Sequence, residues 1–188
     1  MVDQELVDRI EDSLEQDQDA LEADLPGILS EMEGRTDDLV REHPQVLADV
    51  LSRMAAMDVA SFVPENPETA DQFQELLWSG VRVMVERNPE VKEQITEDIT
   101  TNFAADDCPM EGHLRVDEDA NTVTGGSGQL DDADLTITGP ADVLVGLVTG
   151  DVDPMKGLMR RQFELDGSMS TATKLVPVMD ALSNQLPD

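Results

Sequence analysis

Two histidines, one cysteine and a large surplus of carboxylates are the side chains of this 188-residue chain that could do chemistry. Their spacing argues against most of it. His43 and His113 lie far apart, with no His-Glu-x-x-His pattern and no cysteine at ligand spacing, so only folding could bring them to one metal. His43 is expected at a helix start and His113 on a strand surface. Cys108 precedes Pro109 and has no helix N-terminus to favour a thiolate, so a structural role is expected in place of a nucleophilic one. Asp117, Asp119 and Asn121 match the first three ligands of a calcium loop. The sixth position, however, is Thr122 where glycine is needed, and the twelfth is Gly128 where a bidentate glutamate is needed. A hairpin turn is the expectation there. Gly125, Gly126, Ser127 and Gly128 fit neither phosphate-binding glycine pattern and read as a flexible strand connection. No catalytic residue, cofactor or metal is expected.

Charge narrows the partners. The 42 acidic residues outnumber the 12 basic ones, for a net charge of −30 spread from end to end. Phosphate binding needs a stripe of Lys and Arg, and no segment has one, so nucleic acid is excluded. An evenly acidic, Lys-poor surface self-repels in dilute buffer, whereas in about 1 M salt the Debye length falls to about 3 Å and screens the repulsion. The composition therefore reads as a halophilic, acidic protein. An anionic membrane would repel it at low salt, so lipid exchange would need high salt or an apolar lip. Met1–Ser13 is acidic where a signal peptide would be basic then apolar, and no run is long enough for a membrane helix. Stable membrane insertion is not expected, and the lone Cys108 agrees with a reducing, cytoplasmic location.

The elements that must position any site divide at about residue 65. Residues 1–65 read as a helical N-terminal region. Val7, Leu14, Leu21 and Ile28 recur every seven residues beside Leu6, Ile10 and Leu25, a narrow apolar stripe expected to pack on the rest of the chain or on a second copy as a homodimer. Pro26 and Gly27 are expected to break this segment, Thr36 to cap the next helix, and His43-Pro44 to open another. Ser61–Ala70 reads as a loop, and Asn66-Pro67 within it starts the longest apolar helix, ending near Asn88-Pro89.

Residues 98–138 read as short strands, because DITTNF, GHLRV, NTVTGG and ADLTITG are β-branched or alternating between polar clusters. Beyond Gly139, Pro140 begins a helix to 149 that Gly150 terminates. Asp153 caps a second helix opened by Pro154. Phe163 and Leu165 alternate with Gln162, Glu164 and Asp166 as in a half-buried strand, and Ser168 caps a last helix that Pro177 could kink. Met155, Met159, Met169 and Met179 fall in this stretch and suit either a pocket of variable apolar shape or an ordinary core.

The run ADLTITGPADVLVGLVTGDVDPMKGLM, followed by FELDGSM and a helix containing KL, resembles the sterol carrier protein two family, with a haloarchaeal-type member in view over about residues 70–185. The helix QFQELLWSGVRVMVERNPEVKEQI is similar to the one preceding the sheet in short archaeal members. The resemblance implies an α+β fold: a mostly antiparallel sheet of about five strands covered by the C-terminal helices, with an all-helical N-terminal extension. It implies that 66–188 is a lipid-binding domain with an internal hydrophobic tunnel and no catalysis. TGDVDP would then join two helices at the tunnel mouth, and Gly167 would end a strand. The family usually carries a small residue, most often Gly, about where Arg161 stands. The expected tunnel lining is Phe103, Leu135, Ile137, Leu144, Leu147, Met155, Leu158, Met159, Phe163, Leu165, Met179 and Leu182, with Arg160 or Arg161 facing an anionic headgroup. The alternative is an accessory module with a filled core that oligomerises or docks on an enzyme through its N-terminal helices.

Overall fold

The computed structural model describes residues 4–184. The first half is helical: α1 (Gln4–Leu14), α2 (Gln18–Met32), α3 (Thr36–Glu42), α4 (Pro44–Ala55), α5 (Val59–Glu65), α6 (Pro67–Arg87) and α7 (Pro89–Gln94). The first break falls at 15–17, where Asp17 caps α2 by accepting the Ala20 N–H at 3.0 Å. It does not fall at Pro26, which lies inside α2. Leu21, Leu25, Ile28, Leu29 and Met32 are all buried from that helix, at roughly 1.5–3 kcal/mol each, and together they outweigh the roughly 3 kcal/mol cost of an interior proline.

Two further expectations change for similar reasons. Thr36 is already inside α3, and its hydroxyl donates to the Met32 carbonyl at 3.2 Å in place of capping. Much of Ser61–Ala70, expected as a loop, belongs to α5, whose Asp58 cap accepts the Ser61 N–H at 3.2 Å and whose Phe62 and Val63 are buried. The prolines in that segment mark helix positions without removing the helices.

Val7, Leu21 and Ile28 are buried and Leu14 half-buried within the chain, so the seven-residue stripe is occupied intramolecularly. Arg82 on α6 donates to both carboxylate oxygens of Asp37 on α3 at 2.6 Å, and Arg41 reaches Glu86 at 3.1 Å, tying the two helices at the surface. Apolar side chains from Leu6 to Leu182 form one contiguous core.

The second half opens with β1 (Ile99–Ala105), β2 (Glu111–Asp117), β3 (Thr122–Ser127) and β4 (Leu135–Gly139). It continues through α8 (Ala141–Thr149), α9 (Pro154–Met159) and β5 (Glu164–Gly167) to α10 (Met169–Ser183). The strand order is β3-β2-β1-β4-β5; only β1 and β4 run parallel, so the sheet is mixed and mostly antiparallel, as expected. Residues 128–134 make the crossover from β3 to β4. Asn102, buried in β1, holds it by donating to the Leu130 carbonyl at 2.9 Å and accepting the Leu130 N–H at 2.8 Å. Because side chains alternate along a strand, Asn102 and this crossover lie on the face opposite Phe103.

The Phe103 face carries the helices, and its cover is wider than the three C-terminal ones. α6 lies along β3, and Trp78 stacks on Phe103 with ring centroids 6.2 Å apart. Gly125 and Gly126 belong to β3 and are not a loose connection. A Cβ on Gly125 would stand 2.3 Å from Trp78 Cδ2, so the bare backbone there is what lets the indole lie on the strand.

Local signals hold at the C-terminal end. Gly150 ends α8 at φ +92°, Asp153 accepts the Lys156 N–H at 2.8 Å, and Ser168 accepts the Thr171 N–H at 3.4 Å. α10 continues through Pro177. Arg161 adopts φ +56°, a left-handed conformation that costs a residue with a Cβ roughly 1–2 kcal/mol. Arg161→Gly is therefore expected to stabilise the chain by about 1 kcal/mol, net of the extra freedom glycine adds to the unfolded state. That corresponds to a thermal midpoint about 2–3 °C higher for a chain of this size.

Candidate functional site

Strand register builds the floor of an apolar cavity. Phe103 on β1 stands beside Ile137 on β4, and Ile137 stands beside Leu165 on β5, a row of three side chains across the sheet on the helix-covered face. Leu147 of α8, Pro154, Met155 and Leu158 of α9, and Phe163 before β5 form one set of walls. Met169, Ala172, Thr173, Leu175, Val176 and Met179 of α10 form the other. The space between them is about 70 Å³, well below the roughly 300–1,000 Å³ of occupied ligand pockets.

Eight of the residues read from the sequence thus meet here: Phe103, Ile137, Leu147, Met155, Leu158, Phe163, Leu165 and Met179. Four do not. Leu135, Leu144 and Leu182 are buried in the core away from the cavity, and Met159 is 82% exposed. Leu135 and Ile137 share a face of β4, but Leu135 lies one step further along the strand, opposite Thr101 and Gly167. Pro154, Ala172, Thr173, Leu175 and Val176 were missed, and Met169, read as suiting either a pocket or a core, lines the cavity too. An amphipathic α10 predicts that Ala172 and Leu175 are buried, but not that its first turn reaches back over the sheet.

The open side is made by α9 and the start of α10. Gly157 is the buried residue of α9, whereas Met155 is 52% and Met169 58% exposed. Arg160 and Arg161 follow Met159 and are exposed, and neither makes an ion pair with a described residue. Lys156 pairs with Asp153 at 3.2 Å. The Lys156 backbone N–H, donating to Asp153, holds that carboxyl below the usual carboxylate range.

Chemically reactive groups stay scattered. His43 is the residue before α4 and makes no side-chain cap, while His113 Nδ1 lies 3.0 Å from the Gly128 carbonyl. Cys108 lies between β1 and β2, and burial pushes its thiol above the usual range, which disfavours the thiolate. Asp117 accepts the Ala120 N–H at 2.7 Å within the β2–β3 turn, where Asn121 takes φ +52°. Among the described residues no group of three or more His, Cys, Asp or Glu could hold a metal ion, and no helix is long and apolar enough to cross a membrane. Larger clefts of about 270 and 440 Å³ near α2 are more open and of mixed lining, with Glu33, Asp37 and Glu75 beside Leu29, Met32 and Leu76 in the first and Glu31 and Glu33 beside Arg9 and Arg35 in the second.

Among solved structures, the chain is similar to a ubiquinone synthesis protein titled UbiJ-SCP2, at 17% identity over 63% of this chain and 99% of that one, with a TM-score of 0.46. It is similar to apo sterol carrier protein 2 of Yarrowia lipolytica at 16% identity over 60% and 94%, TM-score 0.44. It is also similar to the sec-alkylsulfatase Pisa1 of a Pseudomonas species at 12% identity, over 93% of this chain and 32% of that one, TM-score 0.44. No curated protein matches the chain. The model of the SCP-2 sterol transfer family matches residues 90–180, a span that leaves α6 outside and holds every residue lining the cavity, from Phe103 to Met179. Residues 90–180 are therefore an SCP-2 sterol transfer family domain.

Proposed function

We propose that the protein binds and carries the apolar chain of a lipid, acyl or isoprenoid, between the sheet and α8–α10, without making or breaking bonds. The observation that carries this reading is the Phe103–Ile137–Leu165 row facing an almost wholly apolar set of helix side chains inside the family-matched span. Binding would be driven by removing methylenes from water, at about 0.8 kcal/mol each.

Because the empty space is only about 70 Å³, a chain of many carbons enters by displacing side chains. Met155, Leu158 and Met169 are the ones to move: methionine adapts to many shapes, and α9 has little of its own surface buried. Residues 66–188 carry the ligand in this reading, and 1–65 back the cavity through α4 and α5, which touch α8. Arg160 and Arg161 are the cations placed to face an anionic headgroup.

The even acidity suits a cytoplasm of high salt. The thermal midpoint is expected to rise as salt is raised from about 0.1 to about 1 M, since the Debye length falls from about 10 to about 3 Å. A midpoint that falls would count against a halophilic surface. The function is tested by purifying the chain in about 1 M salt without detergent and identifying extracted compounds by mass spectrometry. A stoichiometric apolar compound is expected. A protein that is empty and also fails to take up fluorescent acyl and isoprenoid probes overturns the reading.

A further inference from the structure

Basic residues, sparse elsewhere in the chain, gather at one place, and it is the mouth of the cavity. From Pro154 to Phe163 there is no Asp or Glu, while Lys156, Arg160 and Arg161 are three of the 12 basic residues of the whole sequence. The exposed large apolar side chains among the described residues, Met155, Met159 and Met169, stand on the same helix and at the start of the next. Two of them line the cavity itself. The nearest carboxylates do not cancel this face. Asp153 is held by the α9 cap and offsets Lys156, which leaves Arg160 and Arg161 as the cations of this face, and Asp151 lies before α9, turned back on the Thr149 hydroxyl at 3.0 Å. Glu164 and Asp166 alternate with the cavity-facing Leu165 and so lie on the other side of β5.

We propose that α9 and the first turn of α10 are the surface on which this protein docks on an anionic lipid bilayer, with the methionines entering the headgroup layer and Arg160 and Arg161 facing lipid phosphates. The charge and apolar pattern fit an interfacial contact, in which apolar area and attraction to anionic headgroups add. Docked so, the cavity opens onto the bilayer and a chain can pass without crossing water. The net charge of −30 opposes this only at long range: with a Debye length of about 3 Å in about 1 M salt, the charges at contact decide, and at contact they are cations. The inference rests on the lipid-carrying reading for its purpose but is tested separately from it.

The test is co-sedimentation of the full chain, in about 1 M salt, with vesicles of equal parts phosphatidylglycerol and phosphatidylcholine, and with vesicles of phosphatidylcholine alone. Binding to the anionic vesicles is expected to be several-fold stronger. The triple variant Met159→Ser, Arg160→Gln, Arg161→Gln is expected to lose about tenfold in that binding. Arg115→Gln, a cation on the opposite sheet face, should leave it unchanged, with circular dichroism confirming that both variants fold. Equal binding to both vesicles, binding to neither, or undiminished binding by the triple variant overturns the proposal. A fluorescent fatty acid presented without vesicles separates the two ideas. Uptake of the probe without vesicle docking leaves the carrier standing and sends the search for this face to a protein partner. Docking without uptake keeps the surface and removes the carrier.

Discussion

Leu147→Trp is expected to lower the affinity for a fluorescent acyl or isoprenoid probe by at least about tenfold while the chain still folds. Leu147 is 3% exposed, sits on α8 and lines the cavity opposite the α10 wall. The larger indole can enter the roughly 70 Å³ beside it, so its penalty should stay within the roughly 1–3 kcal/mol of an overpacked core, less than the roughly 5–15 kcal/mol by which domains are stable. A probe chain displaced by only two methylenes loses about 1.6 kcal/mol, which is already more than tenfold. Ala172→Leu, filling the same space from α10, should act in the same direction with less strain. If both variants fold and bind the probe as tightly as the parent, ligand does not enter between the sheet and α8–α10, and the accessory-module alternative gains.

Gly125→Ala is expected to destabilise the chain by about 3 kcal/mol, which for about 190 residues lowers the thermal midpoint by roughly 6–12 °C. The new Cβ would lie 2.3 Å from Trp78 Cδ2 and 2.5 Å from the His113 carbonyl oxygen. The carbonyl cannot retreat without disturbing the β2–β3 ladder, in which Gly125 stands opposite Leu114. The indole must therefore move off β3, and with it the stack on Phe103. Since Trp78 is the sole tryptophan and the chain has no tyrosine, its fluorescence reports the displacement directly as a shift to longer wavelength. Phe103 belongs to the cavity floor, so probe affinity should fall as well. A midpoint within about 1 °C of the parent and an unshifted emission would show that β3 and α6 can part at little cost.

These two positions also show what was legible in advance. Leu147 could be read from its helical spacing with Leu144, yet only Leu147 reaches the cavity; both are apolar, buried and on one helix. The consequence of Gly125 could not be read at all, because what makes it necessary is an indole that arrives from a helix almost fifty residues earlier. The break expected at Pro26 and the loop expected over the segment holding Pro64 failed for a related reason. Proline is a strong local signal, and burial of Leu25, Ile28 and Phe62 against distant elements outweighs it.

Local chemistry sufficed where a few neighbouring atoms decide the outcome. Asp153 before Pro154, Ser168 before α10, Gly150 after α8 and the alternating runs of β1 to β5 specify starts, stops and faces through hydrogen bonds and sterics that act within a few residues. The even acidity likewise needs no fold to be seen. Which apolar side chains share one cavity is another matter. Phe103, Ile137 and Leu165 meet through the register of β1, β4 and β5, and the basic, methionine-rich α9 stands at their open side because α8 and α10 leave that edge uncovered. Apolar burial has no direction of its own: every leucine and methionine here gains by leaving water, and only the packing of distant elements determines which of them border the space a ligand could fill.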